Sequence, residues 1–379
     1  MAIPLRDIAS ALQAAEALPY SQAGAMPGSY YVSEDLLALE RDHLFRKEWL
    51  CVGRADEIPD PGDFVTCDLL GEPLAVVRGA EGELRALSNV CRHRGVPILT
   101  GAGTTRRLVC PYHAWTYDLT GQLIGAPEMS DRERFERSEC RLPEFPCEIW
   151  MGFVFVSLDP QATPLAPRLA GLDPLIRNYH FEDMKTRHVA WEVWETNWKS
   201  LVENFMEGYH LSPLHRETLH PVNPTKLCKH FPAGEQYFGY TVGFDPNMFR
   251  VPRGHPDLSQ QELDTCVMIA VPPNLLIGGA SDYSSFLCIE PLTVDKVRVR
   301  LGLFFHGDGW SEDDIDRAVV LFNDTMTEDK IVLDRINRGL RSAHYTPGPL
   351  ASEDYEGSVV DLARYIARSL GAVLEPESS

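Results

Sequence analysis

Between Trp49 and about Leu158 the chain runs in short apolar stretches, VVRG and FVFVSL among them, split by the turn signals DLLGEP, RGAEGE and LTGQ. Such runs bounded by Gly, Asp and Pro read as short strands, so this region is expected to be a small antiparallel β domain. Upstream, Ser33 followed by Glu34 and Asp35 has the form of a helix N-cap with an acidic first turn. A helix is predicted from there to about Lys47, and residues 1–32, with the small-residue run SQAGAMPGS, read as a draped arm. Asp159 to Pro174 carries four prolines and is the expected linker. Beyond it the two periods mix. WEVWETNWKSLVENFMEGYHL is helical at its centre, CVMIAVPPNLLIGG and VRVRLGLFF read as strands, and a long amphipathic helix is predicted from about Asp313 to Ser342. The fold class is α+β, with boundaries expected at 1–46, 47–160 and 161–379.

Composition narrows the function classes. The 379 residues are 44% apolar and 24% charged, ordinary for a globular chain long enough for two or three domains. Lys and Arg number 35 against 55 Asp and Glu, a net charge of −20. That balance argues against nucleic acid and anionic membrane surfaces as partners. The longest apolar stretch, Val267 to Ala280, is broken by Pro272, Pro273 and Asn274 and is too short to span a bilayer. The opening MAIPLRDIAS carries no secretory pattern, and nine scattered cysteines suit reduced thiols or metal ligands better than disulfides. A cytoplasmic location is expected.

Two constellations carry chemistry. In the β region, Cys91-Arg92-His93 is followed after 16 residues by Cys110-Pro111-Tyr112-His113. Each pair mixes one thiolate with one imidazole, whereas most C₂H₂ zinc sites keep like ligands together. A Rieske [2Fe–2S] centre places two Cys on one iron and two His on the other, so each loop can supply one ligand to each iron. Gly95 and Pro111 suit tight loops; a zinc knuckle is the competing assignment. The other seven cysteines read as small buried hydrophobes.

The second lies in NWKSLVENFMEGYHLSPLH. On a helix at about 100° per residue, Trp198, Leu201, Val202, Phe205 and Tyr209 share one apolar face. Lys199, Glu203, Met206, Glu207 and His210 fall on the neighbouring arc. Pro213 breaks the helix, so the chain can turn and bring His215 back toward His210. Alone, this reads equally well as a solvated polar face. In the long C-terminal helix the stripe Ile315, Val319, Phe322, Met326, Asp329, Leu333, Ile336, Leu340 puts a carboxylate at an apolar position, where it needs a partner or a metal. Asp324, Glu328 and Asp334 fall off the stripe and read as solvated. His210, His215 and Asp329 would make the two-histidine, one-carboxylate triad of non-haem Fe(II) oxygenases.

CRHRG with CPYHAW resembles the Rieske domain of Rieske non-haem iron oxygenases, the α subunits of ring-hydroxylating and N-demethylating enzymes. Glu207-Gly208-Tyr209-His210, His215 and Asp329 resemble that family's iron motif, and Asn204 matches an Asn often found beside the iron. Glu207 stands where the family more often has Asp, which resembles the subgroup acting on betaines, carnitine and other quaternary amines. The resemblance implies an all-β Rieske [2Fe–2S] domain at 47–160 and a helix-grip catalytic domain at 161–379, an antiparallel sheet around a long C-terminal helix. Residues 1–46 would pack on the latter. It further implies that Cys91, His93, Cys110 and His113 bind the cluster, and that mononuclear non-haem Fe(II) sits on His210, His215 and Asp329. NAD(P)H electrons would arrive through a separate flavin/iron–sulfur reductase. In a head-to-tail homotrimer, His113 and His210 of neighbouring subunits would be bridged by Glu207, which would also orient His210.

The expected reaction is O₂-dependent hydroxylation of a small molecule, foremost N-demethylation of a betaine-like compound. The second choice is hydroxylation or O-demethylation of an aromatic acid, and a Rieske electron carrier with a non-catalytic second domain is the alternative from another class. A cationic substrate would want aromatics, for which Trp191, Trp194, Tyr240, Phe244, Phe249, Tyr283 and Phe286 are available, although core packing explains most of them equally well. A carboxylate would want an Arg, with Arg250 and Arg253 nearest in sequence. The proline-rich segment from Ser212 to Gly243 is expected to be an irregular loop at the substrate entrance.

Overall fold

The short apolar runs between Trp49 and Leu158 form three small antiparallel sheets in the computed structural model of the chain, which describes residues 5–129, 135–248 and 253–374. One joins Trp49–Arg54, Phe153–Ser157 and Cys147–Trp150. A second has five strands with Asp63–Leu69, Glu72–Arg78 and Leu84–Ser88 at its centre. The third is the small meander Leu108–Val109, Thr116–Tyr117, Leu123–Gly125. Strands of two to seven residues can bury little individually, so the interior is shared: Phe64, Val77, Leu87, Leu108, Trp115 and Tyr117 pack into one core that also takes in Cys91 and Cys110. These strands belong to a compact unit spanning Arg46–Thr163; Met1–Phe45 and Pro164–Ser379 form the other.

The second unit is built on a seven-stranded antiparallel sheet of β1 (Lys185–Trp194), β2 (Cys228–Phe231), β3 (Phe238–Gly243), β4 (Thr265–Val271), β5 (Leu275–Gly279), β6 (Tyr283–Thr293) and β7 (Lys296–Phe305). Its order is β1-β7-β6-β5-β4-β3-β2. Strands β2 to β7 are thus a meander in which each pairs with the next, and β1 closes the far edge. The apolar run at 266–279 is the β4–β5 hairpin, turning through Pro272, Pro273 and Asn274, where prolines remove ladder donors.

The longer helices of this unit among the described residues are α1 (Leu5–Ala17), α2 (Glu34–Glu40), α3 (Trp198–Phe205), α4 (Glu312–Gly339) and α5 (Glu353–Leu374). Helix α5 lies on β2 and β3, α4 on β1, and α3 touches both long helices. The helix expected from about Asp313 to Ser342 is α4, and a second long helix that the sequence reading did not name, α5, follows it. In α5, Leu362, Ile366 and Leu370 are fully buried, each stabilising by about 1.5–3 kcal/mol relative to exposure. Among the described residues no helix is long and apolar enough to cross a membrane.

Local signals behave as expected at several ends. The Ser33 hydroxyl accepts from Leu36 N, and Ser311 forms a reciprocal capping box with Asp314 at the start of α4. Elsewhere tertiary contacts overrule the local reading. Residues 5–17 are not a loose arm but a helix packed on α5, with Ile8 and Leu12 buried. The helix after Ser33 ends as regular α at Glu40 and continues as one π turn to Phe45. Ser212–Gly243 contains β2 and β3 rather than being irregular throughout, because the sheet edge offers those residues ladder partners. Lys199, expected on a polar arc, is buried with its Nζ 2.6 Å from Glu40 Oε1, while Trp198 Nε1 donates to Glu40 Oε2 at 2.8 Å. This pair ties α3 to α2, and removing either partner would strand a buried charge at a cost of about 3–5 kcal/mol.

Candidate metal centres

The two loops of the β unit are built alike. Cys91 N donates to Val96 O at 2.9 Å and Gly95 N to Cys91 O at 3.0 Å; Cys110 N donates to Trp115 O at 2.8 Å and Ala114 N to Cys110 O at 3.1 Å. Gly95 has φ +77° and Ala114 φ +55°, so each loop reverses through a left-handed residue at the same place. Sequence reasoning singled out Gly95 but not Ala114, since alanine carries no left-handed signal. The two loops present their ligands at two depths. Cys91 and Cys110 are 2% and 3% exposed, whereas His93 and His113 are exposed, with ring centroids 4.7 Å apart. His93 also stacks on Trp115 at 4.8 Å, which orients it.

A tetrahedral zinc site would draw all four ligand atoms to within about 4 Å of one another, given metal–ligand bonds of about 2.0–2.3 Å. Among the described residues, two groups of at least three His, Cys, Asp or Glu bring one ligand atom each within 4.8 Å of one another, and neither contains these four residues. A buried sulfur pair and an outer imidazole pair match a two-iron cluster instead. Tyr117 was missed by sequence reasoning: its hydroxyl lies 3.4 Å from Cys91 Sγ and accepts from Arg92 N at 3.0 Å, so it braces the first loop from below. Of the other seven cysteines, Cys51, Cys228 and Cys288 are buried and four are half-buried, and none is in a disulfide among the described residues.

In the second unit, α3 starts at the Asn197 cap and runs only to Phe205, one turn short of the expected helix. Glu207 and His210 therefore sit on a tight turn, not on a helical arc. The Glu207 carboxylate accepts from the backbone N–H groups of Tyr209 and His210 and lies 2.6 Å from His210 Nδ1. Gly208 is required there, since a Cβ would lie 2.3 Å from Cys228 Sγ on β2. Tyr209, expected on the apolar face, points outward and is 54% exposed because the helix has already ended.

His210, His215 and Asp329 converge as expected, their ligand atoms within 4.8 Å of one another. His210 Nε2 is 3.6 Å and His215 Nε2 3.2 Å from Asp329 Oδ1, and Asn204 Nδ2 donates to the same oxygen at 3.2 Å. Asp329 is buried on α4 in register with Phe322, Met326 and Leu333; at the ends of this stripe Ala318 and Asn337 are buried in place of Val319 and Ile336. The residue missed is Glu328. Read as solvated, it places Oε2 2.7 Å from His215 Nδ1 and accepts from Thr218 Oγ1 at 2.6 Å. A helical stripe does not reveal this, because a residue beside the stripe is free to face a neighbouring loop.

Both imidazoles thus hold a carboxylate at Nδ1 and turn Nε2 toward Asp329. With the Nδ1 proton given to a carboxylate, Nε2 is an unprotonated lone pair. His215 Nε2 is fully buried, has no hydrogen-bond partner and faces a carboxylate oxygen. Two acceptors in contact call for a cation between them, and two imidazoles with one carboxylate suit iron. Burial works against a charged His210, but the Glu207 carboxylate outweighs it and raises the His210 pKa. Glu356 nearby is raised first by burial, with Glu207 adding to the shift.

Of the aromatics, Tyr240 reaches the site, donating its hydroxyl to Glu207 O at 3.2 Å. Trp194 and Phe286 are buried, and Trp191 stands 55% exposed on the edge strand β1. Arg253 is engaged elsewhere, on Gly309 O and over the Trp310 ring. Phe249 and Arg250 lie outside the described residues.

A Rieske-type cluster site and a two-histidine, one-carboxylate iron site on one chain define an oxygen-activating iron enzyme. Residues 179–372 match the ring hydroxylating alpha subunit (catalytic domain) and residues 48–146 the Rieske [2Fe–2S] domain, and the chain belongs to this family of Rieske non-haem iron oxygenases. The catalytic-domain match rules out the electron-carrier alternative. The cofactors are a [2Fe–2S] Rieske cluster and mononuclear iron. The chain is 28% identical to the carnitine monooxygenase oxygenase subunit of Acinetobacter baumannii over 85% of this chain and 87% of that one. It is 35% identical to the putrescine 2-hydroxylase of Ralstonia nicotianae over 58% of this chain and 56% of that one. Among solved structures it is similar to a quaternary ammonium Rieske monooxygenase whose structure reveals insights into carnitine oxidation and inter-subunit electron transfer. The TM-score is 0.81 at 23% identity, covering 99% of this chain and 100% of that one, which establishes the fold.

Proposed function

We propose that this chain hydroxylates an N-methyl group of a small quaternary ammonium compound, which then loses formaldehyde to leave the tertiary amine. Per turnover, one oxygen atom of O₂ enters the C–H bond and the other leaves as water, with two electrons and one proton from NAD(P)H, passed on through a separate flavin/iron–sulfur reductase, and a second proton from solvent. The observation that carries the reading is the glutamate at position 207, hydrogen-bonded to His210 Nδ1. It is the feature by which the sequence resembles the quaternary-amine subgroup, and the carnitine monooxygenase relative lies in the same direction.

In this reading Cys91, His93, Cys110 and His113 hold the cluster, and His210, His215 and Asp329 hold the iron, at which O₂ is activated. Glu207 and Glu328 keep each imidazole in the tautomer that offers Nε2. Asn204 steadies Asp329 through its amide. Glu207 stands between His210 and the exposed His113 of a neighbouring subunit in a head-to-tail homotrimer, giving electrons a short path. The seven cysteines outside the cluster loops form no disulfide among the described residues, which suits a cytoplasmic enzyme.

A second reading rests on the putrescine 2-hydroxylase relative: hydroxylation of an aliphatic diamine at carbon 2, one carbon removed from the carbon that bears the ammonium, with no carbon lost. Anaerobic reduction followed by a single turnover with O₂ separates the two. Quaternary ammonium compounds, aliphatic diamines and aromatic acids would be compared for formaldehyde and hydroxylated product. Formaldehyde from the quaternary compounds supports N-demethylation; hydroxylated diamine without formaldehyde, or product from aromatic acids alone, overturns it.

A further inference from the structure

We propose that His180, His255 and Asp257 form an additional site for a borderline divalent cation such as Zn²⁺, which fastens the loop at 253–258 across one end of the large sheet. The three side chains offer ligand atoms that all lie within 4.8 Å of one another. Asp257 Oδ2 is 2.9 Å from His180 Nε2 and 3.4 Å from His255 Nδ1. These spacings bracket the separation of about 3.3 Å that a tetrahedral ion with bonds of about 2.0–2.2 Å imposes on its ligand atoms. Two imidazoles and one carboxylate select zinc-like cations over magnesium or calcium, which favour all-oxygen sites.

The polar contacts point the same way. His255 Nδ1 accepts from Asp257 N at 3.2 Å, so it is the unprotonated nitrogen of its ring. A bound cation would take this lone pair in place of the Asp257 N–H and meet the Asp257 carboxylate oxygen, which lies 3.4 Å from the same nitrogen. The His180 and His255 rings lie against each other at a tilt of 36°, with centroids 3.7 Å apart. Behind them, Asp183 Oδ2 is 3.9 Å from His180 Nδ1, placed to orient the ring as outer carboxylates do at metal sites, and His306 stands edge-on to His255 at 5.9 Å.

The backbone holds these donors in place. His180 sits in the left-handed conformation, φ +48°, between two short turns before β1, and His306 directly follows β7. The loop is seated on the same end of the sheet: a Cβ on Gly254 would lie 2.8 Å from Ser281 O, between β5 and β6, and Arg253 lies over Trp310. None of these residues belongs to the iron triad, so the proposal stands apart from the reading of the reaction.

The test uses the iron-loaded protein equilibrated with Zn²⁺, freed of excess metal by gel filtration and analysed for zinc and iron. Wild type should retain about one more zinc per chain than either His255→Ala or Asp257→Asn, with iron content and the iron–sulfur spectrum alike in all three. Zinc should raise Tm in wild type only. Since the iron triad is intact throughout, any zinc exchanged there cancels in the difference. Asp257 is 59% exposed, so its replacement by Asn leaves the fold testable if His255→Ala fails to fold. Equal zinc content in wild type and the folded variants, or an equal rise in Tm, overturns the proposal.

Discussion

Glu328 Oε2 lies 2.7 Å from Nδ1 of His215, while the next residue on the same helix, Asp329, faces Nε2 of that imidazole from 3.2 Å. One turn of α4 thus supplies both a candidate iron ligand and the carboxylate that orients another. Losing such an outer carboxylate weakens metal binding about 10–100-fold. Glu328→Ala is therefore expected to lose mononuclear iron on dialysis and keep its cluster, falling from about three iron atoms per chain toward about two. Iron analysis beside the iron–sulfur absorption checks this; unchanged iron retention would show that Glu328 only fills space.

Glu207→Gln is expected to separate metal binding from electron delivery. Glutamine keeps an acceptor for the backbone N–H groups of Tyr209 and His210 but removes the charge beside His210 Nδ1. Both metals should stay bound while reoxidation of the reduced cluster, followed after mixing with O₂ and substrate, slows by about 10–100-fold. Reoxidation at the wild-type rate would remove Glu207 from the proposed bridge.

Gly208→Ala would place a methyl group 2.3 Å from Cys228 Sγ, in a wall where Cys228 is fully buried. Overpacking of this kind costs about 1–3 kcal/mol, and here it would push on the turn that carries His210. A lower Tm together with weaker iron retention is expected. Adding Cys228→Ala should recover part of both losses, and the coupling can be read from a double-mutant cycle.

Glu203, one residue before Asn204 on α3, has its carboxyl pushed up to about 8, with burial as the leading cause and the Tyr31 hydroxyl bond opposing it. A carboxyl raised in the folded state binds its proton more tightly there than in the unfolded chain. Its contribution to stability is present at low pH and declines as pH rises from about 4.5 toward 8. Glu203→Gln, which resembles the protonated form, should flatten that decline. Tm profiles for the two proteins that stay parallel across this window would show that Glu203 does not titrate there.

Much of the site was legible because metal ligation demands particular residue types. The Cys-x-His and Cys-x-x-His loops, the Glu207–His215 segment and a carboxylate at position 329 on an apolar stripe each break a local rule, and such breaks mark function. What stayed hidden were residues whose type is common and whose role depends on a distant partner. Tyr117 looks like any strand tyrosine until its hydroxyl is found beside Cys91 Sγ. Lys199 fits a polar helix face until Glu40, 159 positions away, is found against it.

Residue types and their local pattern were enough to read the chemistry and most of the strand and helix inventory. Thiolates, imidazoles and buried carboxylates have few uses, and periodicity and capping are properties of neighbouring residues. Long-range packing set the rest: that α3 stops at Phe205, that residues 5–17 form a packed helix and that β2 and β3 occupy the proline-rich stretch after Ser212. It also decided that Glu328 turns toward His215 rather than toward water. In each case two local conformations were open to the same residues, and the outcome rested on which one a distant surface could bury or hydrogen-bond.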